Sequence, residues 1–487
     1  MTQHDAATPA VSLFTGTNTQ PEDCFRVLSP TAILGYGFPM ASFTEGMWHK
    51  PHVIAVDAGS TDPGPWYLGA GASFTDRNAV KRDLEIMITA AIEADIPVVI
   101  GSAGGSGGEP HLQWNLEIIR EIAQEKGLRF PMAVIHAEVD KETVRSAWQA
   151  GHVTPLHPAP ALTEPELDAT VRIVGQMGME PFLSALDTGA RVILAGRSYD
   201  PAVFSAMAVK QGFDRGLAIH MGKILECGAI AATPGSGSDC LMGWLYRDRF
   251  EVEPLNPTRA CTTLSVAAHT LYEKTDPYRL PGPGGLLDLT GTAFEAVNDR
   301  RVKVSGSRFV PSERFAVKLE GVKSLGFRTV SIAGARDPLF IGQIDTILEA
   351  VRERVADNFG GRSLSYRLEF RQYGRTGVMG ALEPHPDQLP HELGIVIEAL
   401  ADTQETANTI VSFARSTLLH FGYPGRMSTA GNLAFPYSPS DFKVGEVFGF
   451  SLYHLIEVDD PCSLFPLEVL QMGDAPSDPE ERLEVET

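Results

Sequence analysis

HVIAVDAG, residues 52–59, is a short apolar run that ends in an acid and a glycine, and it reads as a buried strand. Behind it Val80, Leu84, Met87, Ile88, Ala91 and Ile92 recur at helical spacing, and IPVVIG (96–101) follows as a second strand. Leu112, Leu116, Ile119 and Ala123 mark the next helix, with Gly127 as its stop. PMAVIH (131–136) and ARVILAG (190–196) are further strands, and a helix starts at Pro201. Between them Thr163, Pro165 and Glu166 read as a helix N-cap, an N1 proline and a capping box. Strands that are apolar throughout and alternate with helices predict an α/β fold, a mainly parallel sheet with helices on both faces.

Outward from this centre the pattern loosens. ATPGSGSD (232–239) and RLPGPGGLLD (279–288) read as glycine- and proline-rich loops, and Phe340–Phe359 as a helix. From about 362 the pattern is α+β: SLSYRLEFRQYG and LGIVIEALA alternate like strands, and TQETANTIVSFARSTLLHFG is a long amphipathic helix. The expected division is a flexible tail at 1–22, an α/β core at 23–360, a C-terminal α+β domain of ferredoxin-like arrangement at 361–472, and a disordered acidic tail at 473–487.

Composition bounds the function. Forty Lys+Arg against 61 Asp+Glu give a formal net charge of −21, which disfavours nucleic acid and anionic membrane surfaces as partners. An anionic small substrate stays compatible, because a local arginine or helix end can hold one. The chain has no apolar run of membrane-spanning length and no signal-peptide pattern at its start, so a cytoplasmic protein is expected. Its five cysteines are scattered with no CxxC, which implies neither a disulfide framework nor a structural zinc site.

In a doubly covered sheet ligands sit beyond the carboxyl ends of the strands, and that rule selects the loops to inspect. GSAGGSGGEP (101–110) joins a strand to a helix; Ser102, Gly104, Gly105, Ser106 and Gly107 suit an anion through converging amides, or simply form a connector with tight turns. No GK[ST] follows, and Pro110 stands where a dinucleotide fingerprint needs glycine, so neither a P-loop nucleotide site nor an NAD or FAD site is recognised. Gly104-x-Ser106-x-Gly108 formally matches a nucleophile elbow, a cheap match in so glycine-rich a stretch. Asp57 and Asp62 admit a divalent cation or act as turn residues. In GRSYDPAVF, Arg197 suits a carboxylate or phosphate, Tyr199 stands beside it, and Asp200 before Pro201 reads foremost as an N-cap. Glu226 and Cys227 sit in an otherwise apolar segment as a general acid/base and a nucleophile or core thiol, with His220 six residues before Glu226. His136 and Glu138 end the third strand and suit acid/base partners or a solvated loop. YGRTGVMG (373–380) and FGYPGRMSTAGN (421–432) each put an arginine in a glycine-rich loop.

Taken in order, LSPTAILGYGFPM (28–40), DAGSTDPGPWYLGAG (57–71), IGSAGGSGG (100–108), LAGRSYDPAVF (194–204) and above all HMGKILECGA (220–229) resemble the AtuA family of acyclic terpene utilisation proteins. The resemblance covers about residues 24–455, and GEVFGFSLYHLIEVDDPCSLFPLEVL (445–470) looks like the small domain that accompanies the main one. It implies catabolism of branched acids and acyclic terpenes, on small acids or acyl-CoA thioesters, with a small companion subunit; a homo-oligomer is expected because large cytosolic α/β enzymes commonly form one. Tyr199 and the CGAIAATPGSGSD run look like features of a subgroup. The expected activity is that of a lyase or hydratase, with Arg197 and the 102–108 amides holding an anion and Glu226 moving protons with His136 or Glu138. The alternatives are a serine hydrolase using Ser106 and a non-catalytic subunit of a complex.

Overall fold

A computed structural model of the chain describes residues 24–360 and 364–473; apart from Gly473, the tails expected at 1–22 and 473–487 lie outside the described residues. The chain divides into two compact units, 24–322 with 450–473, and 323–449. The second unit thus begins at Lys323 rather than near 361, and the chain returns from it to the first.

The first unit is built on a ten-stranded sheet. Its centre is parallel: Phe25–Ser29, Val53–Asp57, Val98–Gly101, Val192–Ala195 and Phe130–Ile135 lie side by side in that order. Alternate residues of each strand serve opposite cores. Val53, Ala55, Ala133 and Ile135 pack with Phe182, Phe204 and Ile219 of the helices Glu180–Asp187, Asp200–Lys210 and Arg215–Leu225. Ile54, Val56, Met132 and Val134 pack with Phe43, Leu84 and Leu112 of the helices Met40–Trp48, Arg77–Ala94 and Glu109–Lys126. A strand buried on both faces carries no polar alternation, which is why these runs are apolar throughout.

The expected parallel sheet forms the centre, and antiparallel strands flank it on both sides, so the whole sheet is mixed. Leu241–Leu245 pairs antiparallel with Phe25–Ser29, and Arg249–Pro254, Val302–Ser305 and Ala293–Ala296 extend that side. On the other side Leu467–Met472 pairs antiparallel with Phe130–Ile135. RLPGPGGLLD is a hairpin, not a loop: Arg279–Gly282 pairs with Gly285–Asp288, and Gly284 makes the turn at φ +72°.

Helix ends follow local chemistry. Asp76 accepts from the amides of Asn78 and Ala79, Thr163 from Glu166, and Asp214 from Leu217, while Gly127 closes its helix in the left-handed region. Asp200 departs from its expected place. Tyr199 holds the N-cap position of the Asp200–Lys210 helix, no side chain caps it, and Asp200 turns its carboxylate to Arg197 instead. Among the described residues no helix is long and apolar enough to cross a membrane.

The second unit is α+β. Tyr366–Tyr373, Leu393–Ala401 and the Phe327–Ala335 stretch form neighbouring antiparallel strands. Helices Ile344–Phe359 and Gln404–Leu419 supply Leu348, Val351, Ile410 and Val411 to a core shared with Ile395 and Ile397. Its two glycine-loop arginines tie down their own surroundings: Arg375 pairs with Asp345, and Arg426 donates to the carbonyls of His420, Phe421 and Ala430.

Candidate functional site

Three adjacent parallel strands end together. Asp57 closes one, opposite Gly101 of the next; Ser102 follows its strand directly, and Arg197 follows its own after Gly196. The loops after the last two are joined backbone to backbone: Ser102 N–H donates to Gly196 O at 3.0 Å, Ala103 N–H to Ala195 O at 2.9 Å, and Arg197 N–H to Gly107 O at 3.1 Å. Ser102 sits at φ +48°, an uncommon conformation for a residue with a side chain. Its hydroxyl there accepts from Arg197 Nη1 at 3.2 Å and from Ser198 N–H at 3.3 Å.

Arg197 is buried, and its charge is matched inside the protein. Nε donates to Glu320 Oε2 at 2.8 Å, and Nη1 to Ser198 O at 2.7 Å and Asp200 Oδ1 at 3.1 Å. Burial opposes the guanidinium charge, but Glu320 and Asp200 outweigh it and hold its proton more firmly than usual. Glu320 is equally buried and also takes Lys318 at 2.6 Å; burial raises its carboxyl, yet Arg197 and Lys318 bring it down to about 2. Arg197 is therefore the centre of a compensated charge cluster rather than a free anion hook.

From the other side comes the helix Arg215–Leu225, buried around its whole circumference. It can lie against the start of the Asp200–Lys210 helix because position 222 is glycine: a Cβ there would stand 2.5 Å from Pro201 O. This close approach delivers Lys223 and Glu226 to Arg197 and Asp200. Together with Tyr199, Lys318, Tyr453, Lys274 and Gly282 these residues line a cavity of about 320 Å³. Glu226 Oε1 accepts from Lys223 Nζ at 2.5 Å, while Oε2, also buried, has no hydrogen-bond partner. Burial pushes the Glu226 carboxyl up, Lys223 pulls it back, and the balance lies at about 7. A carboxyl titrating there can both give and take a proton at neutral pH. Behind it Asp57 is sealed, with one oxygen on Gly59 N–H and the other unpaired; burial and the Asp200 carboxylate hold it well above the usual carboxylate range.

Other expected site residues do not join this group. His136 and Glu138 do not line the cavity: His136 Nδ1 lies 2.8 Å from Glu109 Oε2, and Glu138 takes Glu109 N–H at 2.8 Å and pairs with Arg172 at 3.3 Å. Glu138 thus occupies the helix end that an anion would have used. Gly104, Gly105, Ser106 and Gly107 are buried and do not reach the cavity. Their glycines serve contact instead. A Cβ at Gly107 would fall inside the backbone of Gly196 and Arg197, and one at Gly104 would strike His111. The Ser106 hydroxyl is buried and has no hydrogen-bond partner among the described residues. Cys227 does not line the cavity, and burial, then Glu226, push its thiol up, away from the thiolate that a nucleophile needs. His220 lies between Ser307 Oγ at 2.6 Å and Thr270 Oγ1 at 2.9 Å, held neutral by burial, which brings it down to about 3. Asp62 lines the cavity and accepts from the Ser60 hydroxyl at 2.8 Å. Among the described residues no three His, Cys, Asp or Glu side chains converge as a metal-binding group.

Lys223, Lys274, Lys318 and Glu320 also belong to this cluster and carry no motif of their own in the sequence. Lys223 was within reach, since it stands one helical turn before Glu226. Lys318 and Glu320 alternate in KLE, which places both on one side of a strand, but nothing local says that this side meets Arg197.

No curated protein and no solved structure matches the chain. The model of one family does, described as acyclic terpene utilisation family protein AtuA, over residues 76–238 and 254–438. That span holds Arg197, Asp200, Lys223 and Glu226, and by this match over well more than half its length the chain belongs to the AtuA family.

Proposed function

We propose that the chain is an acid–base enzyme of the lyase or hydratase type, acting on a small branched carboxylic acid or its acyl-CoA thioester within acyclic terpene utilisation, the role its family description names. The observation that carries this reading is Glu226: a buried carboxyl in a cavity wall, one oxygen on Lys223, the other unpaired, titrating at about 7. Addition or elimination of water or of a carbon acid needs a group that takes a proton from carbon or water in one direction and returns it in the other. Glu226 is placed for that exchange, and Lys223 stabilises its charged form when the proton leaves. Tyr199 and Asp200, beside it, orient what enters. The order strand, helix, strand, strand, helix, strand in the second unit we read as ferredoxin-like.

The test is turnover of a panel of short branched saturated and 2-enoic acids and their acyl-CoA thioesters, followed by proton NMR in deuterated buffer. The wild type should incorporate solvent deuterium or add water, with a pH profile that breaks near 7. Glu226→Gln should lose about 10²-fold or more in rate together with that break. Full turnover by Glu226→Gln, or an inert wild type across the panel, would remove the proposal.

A further inference from the structure

Four basic side chains line the cavity, and three of them are matched. Arg197 is paired with Glu320 and Asp200, Lys318 with Glu320, and Lys223 with Glu226. Lys274 is the fourth. Its ammonium makes no hydrogen bond or ion pair among the described residues; it feels Lys223, Glu226, Asp200 and Glu273 through Coulomb interaction alone. Of the four carboxylates in the lining, Glu226 is already bonded to Lys223, Asp200 to Arg197 and Asp62 to the Ser60 hydroxyl, and Glu273 is exposed to solvent. The amides of the glycine-rich loop, the other expected anion holder, do not reach this space. We infer that Lys274 is the residue that binds the substrate's anionic group, and that this group is a free carboxylate inside the cavity.

The inference rests on the reading of this cavity as the site, and it narrows the substrate class. An ammonium without a carboxylate partner, set beside a second ammonium, gains most from a negative charge brought by the ligand. Burial and Lys223 accordingly loosen the Lys274 proton, and a carboxylate bound beside it holds it. A thioester offers a neutral carbonyl at this point. Its phosphates lie on a carrier that a cavity of about 320 Å³ leaves outside, on a chain whose formal net charge of −21 repels them. The free acid satisfies Lys274 and leaves the rest of its skeleton against Tyr199, Pro281 and Gly282, which form an uncharged part of the wall.

Titration calorimetry of the full-length protein with isovalerate and with isovaleramide, its neutral isostere, separates the possibilities. The wild type should bind the acid at least about tenfold more tightly than the amide, the worth of one charge-assisted hydrogen bond. Lys274→Met and Lys274→Gln should both abolish that preference, and Lys274→Arg should keep most of it; using two neutral variants guards against one that fails to fold. Equal binding of acid and amide, no binding of either by the wild type, or an undiminished preference in both neutral variants would overturn the inference. Loss of the acid–base reading, seen in turnover, and loss of this one, seen in binding, are thus separate results.

Discussion

Glu320 is a single carboxylate on which two cations depend. Arg197 and Lys318 both bond to it where almost no water reaches, so Glu320→Gln leaves two charges short of a partner. The expected cost is about 3–5 kcal/mol in urea unfolding, the penalty of breaking a buried ion pair from one side. The pH dependence has a definite sign. The Glu320 carboxyl lies below its ordinary 4.5, at about 2, so its contribution is full above 4.5 and is lost as pH falls towards 2. Glu226 works in the opposite sense: raised to about 7, its contribution is full below 4.5 and lost as pH rises through 7. Glu320→Gln should therefore remove an acid-side loss of stability, and Glu226→Gln a loss between pH 4.5 and 7.

At the scale of elements, the glycine-rich loop packs against the Arg197 backbone and does not reach the cavity. Gly107 lies at φ +66° with the Arg197 backbone against its Cα, whereas Gly127 lies at a similar φ of +63° with open space around it. Gly127→Ala should cost about 1 kcal/mol, the conformational term alone. Gly107→Ala adds overpacking of a rigid backbone, and should cost about 1–3 kcal/mol more in the same unfolding measurement. A loop that bound ligand through its amides would show the larger effect in affinity instead. The strands that lead into this loop and into Arg197 were legible in the sequence because apolar runs between helices have few other uses. The convergence of Ser102, Arg197 and Asp57 followed from the strand-end rule. Whether a charged group at that edge is free or matched was not legible: Arg197 reads as an anion holder until Glu320, more than a hundred residues later, is placed beside it. His136 and Glu138 misled for the same reason, since their partners Glu109 and Arg172 come from other elements.

For the whole molecule, the antiparallel strands flanking the parallel centre were hidden because Leu241–Leu245 and Arg249–Pro254 are short and lie within a stretch rich in turns. The limits of the second unit were hidden because they fall inside continuous strands, Phe315–Ala335 and Asp441–Val458, with no linker composition to mark them. That unit carries its own apolar core between Ala333 and Leu433. Residues 323–449 expressed alone should consequently melt cooperatively, as followed by circular dichroism; a broad, structureless melt would show that the core does not suffice by itself. The strand Leu467–Met472, which flanks Phe130–Ile135 in the large sheet, has a consequence for biosynthesis. A ribosome finishes the whole of the second unit before it makes that strand, so Phe130–Ile135 waits with one edge open through more than three hundred residues of translation. Nascent chains stalled short of residue 467 should present this edge to chaperones, and a tag or truncation at the carboxyl end acts on the sheet assembled around the other end of the chain.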